Sequence, residues 1–137
     1  MSAAKSEDLG KLLLRISVGL VLVFHGYAKI WTGVEWIKGP LAGLGLPGFI
    51  AYGVYFGEVV GPLMVISGFR TRIGAALMAV NMVMAILLAH RTQIFSLKEA
   101  GGGWAIELDA LILLGALALF FMGGGKFSVR GGKSVWD

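Results

Sequence analysis

Residues 12–31 read LLLRISVGLVLVFHGYAKIW. Charge enters this stretch only at Arg15 near one end and Lys29 near the other. Its length matches the roughly 20 residues a helix needs to cross about 30 Å of hydrocarbon. Three more apolar blocks follow, at residues 49–69, 73–89 and 104–122. They are rich in glycine, as membrane helices tolerate. No block shows the alternation over about ten residues that marks a membrane β-barrel strand. The expected fold is all-α: an integral membrane four-helix bundle forming a single domain over residues 1–137.

The composition supports this. The chain has 137 residues, of which 57% are hydrophobic and 15% charged. A soluble domain has roughly 45–50% and about 25%. That balance excludes a disordered chain, a secreted disulfide scaffold and a nucleic-acid-binding tail, so no nucleic-acid partner is expected. The absence of cysteine excludes thiol redox chemistry, disulfides and iron–sulfur ligation by this chain.

Lys5, Lys11 and Arg15 resemble the basic start of a signal peptide, but His25-Gly26-Tyr27-Ala28-Lys29 follows instead of a small-residue cleavage site. An uncleaved signal anchor is expected. Lys5, Lys11, Arg15, Arg70, Arg72, Lys126, Arg130 and Lys133 fall on one side of the expected spans, against Lys29, Lys38, Arg91 and Lys98 on the other. The excess of basic residues puts both termini in the cytoplasm of a multi-pass protein of the cell (inner) membrane. On this reading Arg15, Arg70, Arg72 and Lys126 are interface anchors, with Arg15 snorkelling outward. The apolar connection from Thr32 to Gly48 is expected to lie on or dip into the outer interface.

Polar residues inside spans are costly and mark functional candidates. Arg15, Val18, Leu22, His25 and Lys29 recur at spacings of 3 and 4, which places them on one helix face. Glu58 lies near the middle of the second span, and Pro62 four residues later deprives the Glu58 carbonyl of its helical donor. Gly53, Gly57 and Gly61 form a small-residue ridge that lets another helix approach closely. Asn81 lies at mid-depth in the third span, and His90, Glu107 and Asp109 lie further out. With alternating helix directions these depths converge on a polar interior in the outer half of the bundle. His25 and Glu58 are the proton-handling, catalytic candidates; Lys29, Asn81 and Glu107 are the ligand-binding candidates. His90 and Asp109 read as solvated interface groups. No metal site is expected: without a Glu-x-x-His pair a carboxylate-bridged di-metal centre is not supported.

The same residues carry a family likeness. Arg15-Ile-Ser-Val-Gly19 precedes Phe24-His25-Gly26-Tyr27-Ala28-Lys29. Gly45-Leu46-Pro47 precedes Gly57-Glu58, and Gly68-Phe69-Arg70-Thr71-Arg72 closes the hairpin. Trp104 to Glu107 opens the fourth block, and Gly123-Gly124-Gly125-Lys126-Phe127-Ser128 ends it. In this ordered set, spanning nearly the whole chain, the sequence resembles the DoxX family of small four-span bacterial membrane proteins. The usual family tail continues aromatic-Ser-Leu-Asp; here Val129-Arg130 follows Ser128, so that acidic residue is absent. The resemblance implies a membrane redox role, linked to quinones and to membrane-bound oxidoreductase complexes. It supplies no agreed catalytic residues.

The leading expectation is an integral membrane subunit or accessory protein of a quinone-linked oxidoreductase system. No cofactor is expected to be covalently bound. A quinone would occupy a cleft in which His25 and Glu58 exchange protons with it, while Lys29 and Glu107 line the outer entrance. Redox cofactors would belong to a partner membrane or redox protein. Two alternatives stand beside it. One is a non-catalytic scaffold or assembly factor whose glycine ridge docks a partner helix. The other is a small-solute or proton transporter acting as a homo-oligomer.

Overall fold

The first helix, α1 (Ala3–Thr32), begins well before the apolar block and runs 30 residues, about 45 Å at 1.5 Å per residue. It is therefore longer than the hydrocarbon layer is thick. The computed structural model describes residues 2–98 and 100–137. After α1 come α2 (Glu35–Gly43), α3 (Gly48–Ser67), α4 (Thr71–Gln93) and α5 (Glu107–Met122). Of these, α1, α3 and α4 are long and apolar enough to cross a membrane. Helix α5 has 16 residues. Among the described residues there is no strand, only an isolated bridge between Leu97 and Trp104 in the α4–α5 connection.

The long helices pack in a ring, α1 on α3, α3 on α4, α4 on α5 and α5 back on α1. Val18 and Leu22 of α1, Val65 of α3, Met78 and Met82 of α4, and Ile112, Ala116 and Leu119 of α5 form the common core. The outside is apolar as well: Phe24, Val80, Leu111 and Phe121 are each well over half exposed. So extended an apolar surface exceeds what a soluble monomer shows to water and suits lipid. A second cluster joins Val34, Ile37 and Leu41, in and just before α2, to Ala51 and Val54 of α3. The Thr32–Gly48 connection thus holds a short helix clamped onto the bundle.

Helix α3 is not uniform. It starts as a 3-10 turn (Gly48–Gly53), widens into a π turn (Phe56–Val60), and becomes α-helical from Gly61. Pro62 has no N–H to donate to Glu58, and in the widened turn the Gly61 N–H bonds Phe56 O, five residues back. Helix α3 stops at Gly68, whose φ of 75° suits a left-handed cap. Phe69 N donates to Met64 O (3.0 Å) and Gly68 N to Val65 O (3.2 Å), the hydrogen-bond pair of a Schellman ending.

Arg15 departs from the sequence expectation. It is not a snorkelling anchor; it is 1% exposed. Its guanidinium donates to Val65 O (2.8 Å), Ile66 O (2.8 Å), Gly124 O (2.8 Å) and Phe127 O (2.9 Å). Two of these acceptors are carbonyls in the last turn of α3, where the helix dipole favours a cation. The other two belong to the tail, which folds back beneath the bundle. Lys126 N donates to Asp8 Oδ1 (3.0 Å), so the first and last described residues lie at the same end. Asp137 accepts from Arg70 N (3.1 Å) and from Ser134 N (3.1 Å). It steadies the left-handed Arg70 (φ 49°) that opens α4.

Candidate functional site

Glu58 projects from the π turn halfway along α3 and is 4% exposed. Both carboxylate oxygens have partners. Lys29 Nζ lies 2.6 Å from Oε2, and Asn81 Nδ2 donates to Oε1 at 3.1 Å. Tyr55 adds a tie between the same helices, its hydroxyl donating to Lys29 O (3.1 Å). A carboxylate, an ammonium and an amide from three helices therefore meet at one place.

Two glycines make the meeting geometrically feasible. A Cβ at Gly26 would stand 2.3 Å from Glu58 O, and one at Gly57 would stand 2.2 Å from Asn81 Cβ. Only glycine permits both approaches. Because Gly26 faces α3, its neighbour His25 is rotated about 100° away. This corrects the expected His25–Glu58 pair. His25 is exposed at the cavity wall, and among the described residues it has no hydrogen-bond partner on Glu58. Lys29, three residues beyond Gly26, returns to the same face. Helical side chains tilt towards the N-terminus, so Lys29 reaches back down to the level of Glu58. The buried face of α1 follows Arg15, Val18, Gly19, Leu22 and Gly26, a period nearer 3.6 than the strict 3-and-4 stripe.

The glycine ridge is also redistributed. Gly57 packs on Asn81, and Gly61 packs on Gly74, whose carbonyl a Cβ would meet at 2.9 Å. Both therefore face α4 of the same chain, not an outside helix. Gly53 lies in the 3-10 turn, where a Cβ would meet nothing within 4 Å, and is not a packing glycine.

Lys29, Glu58 and Asn81 border a cavity of about 500 Å³, within the size range of small-ligand sites. His25, His90 and Asp109 are its other polar or charged side chains. The remaining wall is apolar and includes Trp36 and Ile37 of α2 and Leu88 of α4. His90 sits in a second π turn, Ile86–His90. Its Nε2 stands 3.6 Å from Asp109 Oδ2 and its Nδ1 3.2 Å from Gln93 Oε1. Glu107 does not line the entrance as expected. At the first turn of α5 it pairs with Lys98 of the preceding connection. Asp109, two residues on, takes the wall position. Nearby, on α2, Lys38 donates to Glu35 (2.8 Å), which raises the Lys38 ammonium above its ordinary value. Among the described residues no group of three or more His, Asp or Glu side chains gathers as a metal site.

Fold and site together define a small helical membrane protein with an ion pair set into the wall of an apolar cavity. The chain belongs to the DoxX family, whose model matches residues 10–91. It is 34% identical over 119 residues to a Bacillus subtilis (strain 168) protein named "Putative oxidoreductase CatD", covering 87% of this chain and 83% of that one. It is 29% identical over 125 residues to the Escherichia coli (strain K12) "Inner membrane protein YqjF", covering 91% and 92%. It is also 29% identical over 127 residues to the "Uncharacterized membrane protein Rv3486" of Mycobacterium tuberculosis (strain ATCC 25618 / H37Rv), covering 85% and 76%. No solved structure matches the chain.

Proposed function

We propose that this chain is the membrane-embedded subunit, or an accessory protein, of a quinone-linked oxidoreductase of the bacterial inner membrane. Its cavity takes the quinone headgroup. The observation that carries the reading is the Glu58 carboxylate, almost wholly buried yet paired with Lys29 at the wall of an apolar cavity. Converting a quinone to its hydroquinone takes two electrons and two protons. Lys29 donates a hydrogen bond to a quinone oxygen and, as the electrons arrive, transfers one ammonium proton to it; a proton taken from water through the Glu58 carboxylate restores the ammonium, and the second proton of the hydroquinone comes from water. The electrons come from a redox-active partner protein. That a relative bears the name of an oxidoreductase agrees with this division of labour.

In this reading the protein crosses the membrane four times. Helix α5 spans with 16 residues, about 24 Å of rise, at the short end of what a bilayer accommodates by local thinning. Both termini face the cytoplasm, because the end that carries them holds the larger share of Lys and Arg.

The test uses purified protein in nanodiscs, titrated with 2,3-dimethyl-1,4-naphthoquinone. Trp36 lines the cavity and reports binding by quenching. The expected result is saturable quenching that disappears in Trp36→Phe and shifts at least tenfold in Glu58→Gln. Absence of saturable quenching in folded protein, or unchanged affinity in Glu58→Gln, refutes the proposal.

A further inference from the structure

The end of the bundle that carries both termini holds a second cavity, of about 450 Å³. It shares no lining residue with the cavity beside Glu58. Asp8 and Lys11 of α1, Arg72 at the start of α4 and Met122 at the end of α5 form part of its wall, and the tail adds Lys126 and Asp137. Hydrogen bonds between these elements fix the frame. Lys126 N donates to Asp8 Oδ1 (3.0 Å), Arg72 N to Trp136 O (3.2 Å) and Arg72 Nε to Asp137 O (3.4 Å). Gly125 keeps the space open: a Cβ there would stand 3.0 Å from Asp8 Oδ1 and 3.1 Å from Lys11 Cδ.

The charges around this cavity do not cancel. Among the described residues, no ion pair includes Lys11, Arg72 or Lys126. Arg72 gives only its Nε bond to the protein, and the two lysine ammoniums give none. Of the two carboxylates, Asp137 is already engaged. Its side chain is fully buried, it accepts from Arg70 N and Ser134 N, and Arg130 Nε stands 3.8 Å from it. Asp8 alone offsets three cations, and one of its oxygens is spent on the Lys126 amide. An anion is therefore the ligand the cavity favours.

Its place in the fold says which anion. Lys11 stands immediately before the apolar block of α1, Arg72 immediately before that of α4, and Met122 ends α5. Helix ends of this kind lie where hydrocarbon gives way to lipid headgroups. Met122 is exposed on the rim, and Phe121 beside it belongs to the apolar outer surface. A soluble phosphate would leave that rim unused. A ligand that joins a phosphate to apolar chains uses both parts.

We propose that this cavity binds the phosphodiester of an anionic phospholipid. Lys11, Arg72 and Lys126 supply the donors, and the acyl chains run along α5 over Met122 and Phe121. Basic pockets between the ends of membrane helices suit such headgroups. A zwitterionic lipid brings its own ammonium into the same positive field and loses most of the gain. Arg72 and Lys126 thus do more than anchor the bundle at the interface: they belong to one defined headgroup site. The site stands on residues that the quinone reading does not use, and neither depends on the other.

The experiment is native mass spectrometry of the full chain released from micelles holding equal amounts of dioleoylphosphatidylglycerol and dioleoylphosphatidylcholine. Wild-type protein is expected to retain one phosphatidylglycerol, with a preference of about tenfold. A cation at a membrane surface is worth about fivefold, so Lys11→Gln and Lys126→Gln should each lower the preference by about that factor. Each removes a charge and no hydrogen bond of the fold. Arg91→Gln removes a cation at the opposite end and should leave the preference unchanged. Glycerol 3-phosphate in excess should not displace the lipid. The proposal is overturned if the wild type shows no preference, if both glutamine variants keep it, or if Arg91→Gln lowers it equally. Displacement by glycerol 3-phosphate overturns it as well, because the site then takes a soluble phosphate.

Discussion

Replacing Arg15 by methionine gives the sharpest contrast between the sequence reading and the structure. An interface anchor would be worth little, since surface substitutions usually fall within about 0.5 kcal/mol. The structure predicts much more. Four carbonyls lose a charged donor. Those of Ile66 and Phe127 are only partly buried and can turn to water. Those of Val65 and Gly124 are buried; Val65 O keeps the bond from Gly68 N, so Gly124 O is left unsatisfied at a cost of about 1–3 kcal/mol. Removing a buried cation returns some desolvation energy, and the methionine stem keeps part of the packing. The expected net loss is about 2 kcal/mol. It should appear in reversible unfolding in mixed micelles, titrated with a denaturing detergent. Two of the four acceptors lie in the tail, so trypsin should cut at Lys126 and Arg130 faster in Arg15→Met than in wild type. Arg15→Lys should not rescue, because an ammonium lacks the planar fork that serves four acceptors. A loss below about 0.5 kcal/mol with unchanged tail cleavage would refute the reasoning and restore the anchor.

Four further outcomes follow from the packing and the buried groups. Gly26→Ala must push α1 back from Glu58 O, which lies 2.3 Å from where the new Cβ would stand; overpacking of about 1–3 kcal/mol and weaker Trp36 quenching should accompany it, both read in nanodiscs. Gly57→Leu, which collides with Asn81, should abolish the monodisperse peak on size exclusion, whereas Gly53→Leu in open space should fold normally and hinder quinone entry. Thr71 Oγ1 is buried and among the described residues has no hydrogen-bond partner, so Thr71→Val should raise stability by about 1 kcal/mol, measured by the same detergent titration. Lys29→Met and Glu58→Leu should each cost about 3–5 kcal/mol, and the double variant less than either, because breaking a buried pair strands one charge while removing both does not.

What is legible in the sequence follows from what hydropathy encodes. The apolar blocks and their helical nature are plain, because the ~20-residue lengths and sparse charges leave few other structures in lipid. Block ends are less so: α1 starts at Ala3 and α5 only at Glu107, since polar first turns carry no hydropathy signal. Glu58, Lys29 and Asn81 all stand out as polar groups in apolar blocks, but residue counts pair Glu58 with His25. Counting residues gives depth along a helix and misses the backward tilt of a long side chain, from which Lys29 gains several ångströms. Gly26 stands out in the sequence only as part of a motif. Its lack of a side chain, next to a histidine and three residues before a lysine, is the available sign that the backbone of another helix comes close there. The exchange of Glu107 for Asp109 at the cavity wall needs the start of α5 to within one residue, which no pattern in Gly101-Gly102-Gly103-Trp104 provides.

Arg15 and Lys29, the two cations of the first apolar block, show why one site reads as structure and the other as function. Arg15 directs four hydrogen bonds at four carbonyls out of the five its guanidinium can give. It is closed in by α3 and the tail, and a Cβ at Gly68 would already stand 2.7 Å from its terminal nitrogen. Nothing further can approach it. Lys29 has three donors, and among the described residues its side chain gives one, to Glu58. Its side chain remains 17% exposed, towards a cavity that no residue fills. An ion pair serving only to fix helix register gains nothing from an adjoining void, since packed apolar side chains would hold the register at least as well. On the proposed reading, a cation that gives one of its three donors to the protein beside an apolar cavity is instead placed to stabilise an arriving acceptor oxygen. The carboxylate behind it balances the charge, so that the pair can be held in apolar surroundings while two of the ammonium's donors stay free.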